Sequence, residues 1–177
     1  MTKLIATLIG SGTSYGVPVP GCFCEVCCSK SKKDKRLRSS LLIQKINENN
    51  KEENVNIIID AGPDFRRQAL KYNIDHINGI AVTHTHSDHI AGFDDVYSFA
   101  IRNKQIPVYS SLGCYGGMVE RFGYIWEKEK RSEYLPWHEI KGNKQFEIEG
   151  IPITPIDVVH SVAQTHAFRI GDFVYMP

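Results

Sequence analysis

The sequence predicts an α/β fold, and three observations carry the prediction. Short β-branched runs recur along the whole chain, two of them lead into stretches with helical periodicity, and glycine, proline and serine punctuate the rest. Composition agrees: 177 residues, 42% of them hydrophobic and 23% charged, suffice for one sizeable core and exclude disordered, collagen-like and coiled-coil chains. A single domain over residues 1–177 is expected, since no internal repeat or sharp compositional boundary divides the chain.

In chain order, residues 4–9, 41–46, 55–59 and 80–82 read as strands, and the polar stretch 47–53 as a hairpin loop between the second and third. Asp60-Ala61-Gly62-Pro63 follows the third strand. Gly62 suits a tight turn there, and Pro63 suits the first turn of a helix running to about Tyr72. After the fourth strand comes Thr83-His84-Thr85-His86-Ser87-Asp88-His89, and then Ile90, Phe93, Tyr97, Ala100 and Ile101 at helical spacing. Residues 107–109 read as a strand, 114–124 as a helix and 127–139 as a charged, solvated connection. Residues 146–148, 153–159 and 167–175 read as three closing strands.

Charge and targeting narrow the function classes. Lys plus Arg number 21 against 20 Asp plus Glu, so the formal net charge of +1 gives no global field for a nucleic acid, and any polyanion must be gripped locally. No apolar run is long enough to span a membrane, and residues 1–9 are too short for a signal sequence, so a cytoplasmic protein is expected. Five cysteines, four of them within residues 22–28, point in a reducing compartment to thiolate metal ligation rather than to disulfides.

The histidine segment is the strongest chemical signal. Alternate residues of an extended loop share a face, so His84 and His86 can meet one ion while Asp88 and His89 turn toward a second. Imidazole and carboxylate suit zinc, manganese or iron at a hydrolytic site with open coordination positions. His160, after a strand, is the natural third ligand of the first ion. Lys30, Lys32, Lys33, Lys35, Arg36 and Arg38 form the densest basic run. Such runs are ordinarily solvated surface, and this one would steer a phosphate-bearing substrate passing near it.

Thr83-His84-Thr85-His86-Ser87-Asp88-His89-Ile90-Ala91-Gly92 resembles the signature of the metallo-β-lactamase-fold hydrolases. Ser11-Gly12-Thr13-Ser14-Tyr15-Gly16-Val17-Pro18 and Gly21-Cys22-Phe23-Cys24-Glu25-Val26-Cys27 resemble the N-terminus of the phosphoribosyl cyclic phosphate phosphodiesterases of the carbon-phosphorus lyase pathway. The resemblance implies an αβ/βα sandwich of four layers with a dinuclear site at the sheet edges. His84, His86 and His160 would hold one divalent ion, zinc or manganese, and Asp88 and His89 the other. Asp60 would orient the histidine loop, Cys22, Cys24 and Cys27 would hold a structural zinc, and His166 is a possible substrate contact.

The implied activity is hydrolysis of a small, cyclic phosphodiester by a metal-activated hydroxide, with His86 and Asp88 as catalytic residues. A transfer-RNA 3′-end nuclease and a catalytically inactive metal-binding module are the alternatives. The family's bridging aspartate and last histidine fall beyond residue 177. The expectation is therefore an incomplete second half, reduced occupancy of the second ion, and a homodimer covering an exposed sheet edge.

Overall fold

The computed structural model describes residues 2–50, 53–103, 105–126, 132–160 and 164–177. Two sheets and a set of helices build it. The first sheet takes β1 (Thr2–Gly10), β2 (Ser40–Asn47), β3 (Val55–Ile59), β4 (Gly79–Ala81), β5 (Val108–Ser110) and β6 (Trp137–Glu139) in sequence order. Its first three strands run antiparallel, and from β3 onward the neighbours are parallel. The helices needed to return the chain for parallel pairing are α2 (Phe65–Lys71), α3 (Ser87–Ile90) with α4 (Phe93–Asn103), and α5 (Leu112–Trp126). A single-turn helix, α1 (Glu25–Cys28), lies in the cysteine segment. The second sheet is antiparallel, in the order β10 (Phe173–Tyr175), β9 (Thr165–Ile170), β8 (Ile151–Val158), β7 (Phe146–Ile148).

Side-chain alternation divides the core in two. Ile58 and Leu42 face α2, α4 and α5, where Phe65, Phe93, Val96 and Met118 bury them. Their neighbours Ile57, Ile59, Leu41 and Ile43 face the other way, onto Ile153, Phe168 and Ile170 of the second sheet. A strand apolar on both faces is what a sheet sandwiched between two layers requires, and β3 is buried at all five residues. Helices, first sheet and second sheet make three of the four layers that the resemblance implies.

Three expectations need correction. The run 167–175 is two strands and not one, because Gly171 at φ 58° turns the chain between β9 and β10. The connection 127–139 contains β6, a parallel edge strand whose Trp137 indole donates to Ser110 Oγ. Residues 127–131 of that connection lie outside the described residues. The strand expected to reach residue 159 stops at Val158, and Val159 is fully exposed. Residues 51–52 of the hairpin loop are likewise outside the description, but its flanks pair antiparallel as expected, Lys45 opposite Val55.

Candidate metal centre

The centre is built where β3 and β4 end. Asp60, the first residue after β3, is fully buried and sits in the left-handed region at φ 64°, a conformation that costs a non-glycine residue of order 1 kcal/mol. The backbone that follows holds the histidine segment at close range. Ala61 N–H donates to the His89 carbonyl at 2.8 Å, and Gly92 N–H to the Ala61 carbonyl at 2.8 Å. Gly62 is required by this approach, because a Cβ there would collide with the Asp88 carbonyl oxygen.

The Asp60 carboxylate fixes the geometry of two histidines. It accepts from the Thr83 N–H at 2.8 Å, from the Thr83 hydroxyl at 2.8 Å and from His89 Nδ1 at 2.7 Å. The Thr83 hydroxyl has one proton and gives it to Asp60, so its contact with His84 Nδ1 at 2.9 Å must be donated by the imidazole. His84 therefore keeps its proton on Nδ1 and presents an unprotonated Nε2, the tautomer a metal ligand needs. Asp60 does not cap α2, whose N-cap residue is Asp64: its side-chain bonds go to Thr83 and His89.

His84 Nε2 points at His86 Nδ1, 3.0 Å away, and His160 Nε2 lies 3.3 Å from the same atom. Three imidazoles from β4's end, the start of α3 and the loop after β8 thus offer nitrogen atoms within 4.8 Å of one another. Burial, reinforced by the neighbouring His89, His86 and His160, pushes His84 down to about 3, so it is neutral. Beside them, His89 Nε2 lies 3.2 Å from Asp88 Oδ2. Burial alone would lower His89, but its bonds and charges from Asp60 and Asp88 outweigh it and raise the pKa. A cavity of about 340 Å³ opens over the group, lined also by Ser14, Thr165 and Pro177.

His84, neutral and fixed in its tautomer, and the His86 and His160 rings converging on it offer a set of nitrogen donors that fits a divalent cation. For a second cation the described residues supply Asp88 and His89.

His166 does not line this cavity. It is buried in β9, where Asp157 Oδ1 stands 3.1 Å from Nδ1 but at an angle too oblique for a hydrogen bond, so both ring nitrogens lack one. The preceding residue, Thr165, takes the cavity position, since successive strand residues face opposite ways. The sequence reading passed over Thr165 and also Ser14, whose carbonyl is held at 2.8 Å by Arg38 Nε.

The cysteines form a separate cluster. The sulfurs of Cys22, Cys24 and Cys27 lie within 4.8 Å of one another, and the Cys27 N–H donates to Cys24 Sγ at 3.5 Å. That bond, with the neighbouring thiols, lowers the Cys24 pKa. Three thiols, one biased toward thiolate, match three corners of a tetrahedral zinc site. Cys28, in the same α1 turn, is not in the group.

Sheet order, helix placement and the histidine centre together define a metallo-β-lactamase fold. Residues 55–177 match the family model described as the β-lactamase superfamily domain, and the chain belongs to that superfamily, whose members are generally hydrolytic. Among solved structures it is similar to a diphosphatase of the PhnP family, with 31% identity and a TM-score of 0.83 over 98% of this chain and 65% of that one. Zinc-bound PqqB from Methylobacterium extorquens shares the fold at 18% identity and a TM-score of 0.65, covering 98% of this chain and 61% of that one. Among curated proteins, an octanoyltransferase of Porphyromonas gingivalis is 34% identical over 171 residues, 96% of this chain but 33% of that protein. Ribonuclease J 1 of Streptococcus pyogenes is 26% identical over 137 residues, 68% of this chain and 22% of that one. The chain thus spans about a third of the first relative and about two thirds of the diphosphatase. Among the described residues no helix is long and apolar enough to cross a membrane.

Proposed function

We propose that the protein is a metal-dependent phosphodiesterase whose substrate is a small phosphodiester, cyclic ones included. The observation that carries this reading is the convergence of His84, His86 and His160 next to Asp88 and His89 in one open cavity. The likeness to a diphosphatase at 31% identity supports phosphorus as the centre attacked.

His84, His86 and His160 would hold one divalent cation, zinc or manganese, and Asp88 with His89 a second. Cations bound there supply an acidified water and charge against the phosphate oxygens. The chain's own residues do the rest. Asp88, half-buried at the cavity wall, accepts a hydrogen bond from the attacking water and so aims its lone pair. His86, at the start of α3, and His160, exposed on the loop after β8, line the cavity side by side, with His160 Nε2 3.3 Å from His86 Nδ1. Asp60 holds His89 and, through Thr83, His84 in place while touching no substrate.

Hydrolysis of bis(p-nitrophenyl) phosphate tests the reading. Chelation, His86→Ala and Asp88→Ala are each expected to remove most of the turnover, and full turnover surviving all three would overturn it.

A further inference from the structure

Two cavities away from the histidines differ in charge. The larger, about 460 Å³ between α2 and α4, sets Arg66 and Arg102 against Asp75 and Asp95 and is balanced. The smaller, about 320 Å³, is not. It is lined by Lys33, Lys35, Arg36 and Lys71, with Gly10 and Ser11 at the β1 end and no carboxylate in its wall.

Three elements bring these cations together. Lys33 lies in the 3-10 turn Lys32–Asp34, and Arg36 is pinned by paired backbone bonds with Val17, at 2.8 and 2.9 Å. Lys71 comes from the end of α2, far away in sequence, with its ammonium 4.9 Å from the Tyr72 ring centroid. None of the four is in an ion pair among the described residues. Asp34, the nearest acid in sequence, instead accepts from the Ser29 hydroxyl at 2.6 Å. Four like charges around one hollow repel one another, and a bound anion relieves that repulsion. The sequence showed the basic run but not that the fold adds Lys71 and a cavity to it.

We propose that this cavity is a phosphate-binding site, distinct from the histidine centre, that takes phosphate groups either of a nucleic-acid strand or of free inorganic phosphate. Its placement is apt for a strand. Ser11 lines this cavity and Ser14 the histidine cavity, and three residues of chain span at most about 11 Å. The site requires no hydrolysis, so it stands or falls separately from the phosphodiesterase reading.

The test is binding to the chelator-treated protein, by fluorescence anisotropy with a labelled single-stranded oligoribonucleotide of about eight nucleotides, at salt from about 50 to about 200 mM. With four phosphate contacts the slope of log affinity against log salt should be about −2.8. The triple variant Lys33→Ala/Lys35→Ala/Lys71→Ala, all exposed positions, should bind at least about tenfold more weakly with a slope near −0.7, and melt like the parent. His84→Ala should leave binding unchanged. Competition by millimolar inorganic phosphate, lost in the triple variant, would assign the site to free phosphate as well. Failure to compete would assign it to the strand. If the parent binds neither probe, if the triple variant binds like the parent, or if binding follows His84, the proposal is overturned.

Discussion

The histidine centre and the cysteine cluster each gather three potential ligands within 4.8 Å, yet the protein holds them in opposite ways. His84 is 2% exposed, and its proton is placed by Thr83, which is placed in turn by the fully buried Asp60. Of the cysteines, Cys27 sits on a one-turn helix with no buried residue, Cys24 caps it and Cys22 precedes it, and the cluster is braced by bonds from its own segment and from Val19 N–H to Cys27 Sγ at 3.4 Å. The difference teaches that a centre anchored in the core keeps its ligand geometry before any ion arrives. A cluster on a surface loop depends on its ion to hold that geometry.

The largest effect should come from cutting the anchor. Asp60→Ala leaves the Thr83 N–H, the Thr83 hydroxyl and the His89 N–H without their acceptor inside the core. It should cost about 3–5 kcal/mol in urea unfolding and weaken metal binding at the histidines by about 10–100-fold, while zinc at the cysteines is retained. Equal losses at both clusters would break the contrast. Gly62→Ala should follow at about 1–3 kcal/mol, because the new methyl displaces the Asp88 backbone; a silent substitution would mean that the close approach does not position the site.

Acid sensitivity sharpens the same contrast. Burial lowers the pKa of His166 below its ordinary 6.5 against the opposing pull of Asp157, so the unfolded chain takes up its proton first as pH falls. The stability this residue contributes is complete above about pH 6.5 and drains away below it. Replacing it, His166→Leu, should flatten that part of the stability profile, and an unchanged profile would contradict the burial argument. The smallest effect belongs to the surface. Cys22→Ser/Cys24→Ser/Cys27→Ser should shift the unfolding of the metal-free protein by less than about 1 kcal/mol and leave the histidine centre's cation content unaltered.

Local signals explain how much could be read in advance. β3 and the 84–89 segment were legible because a short run dominated by Val and Ile and a dense ligand motif each declare themselves within a few residues. Asp60 was legible through its place at a strand end, but the relay through Thr83 was not, since it depends on which atoms meet across the β3–β4 pair. The break at Gly171 was hidden because Phe173-Val174-Tyr175 continues the apolar character of β9. β6 was hidden because its residues, half-buried or exposed, lack the apolar alternation of a core strand. His166 misled for a related reason: a histidine in a strand gives no sign of which face it will occupy, and here the strand turns Thr165 into the cavity.

The central claim is that His84, His86 and His160 bind a divalent cation through geometry fixed by the core. Titrating the metal-stripped protein with cobalt(II) tests it most directly, because nitrogen ligation gives visible d–d bands and thiolate ligation adds charge-transfer absorption in the near ultraviolet. The account predicts both signatures in the parent, loss of the d–d bands assigned to the nitrogen site together with phosphodiester hydrolysis in His84→Ala, and survival of the thiolate absorption there. Cobalt spectra and turnover that are identical in His84→Ala and the parent would contradict it.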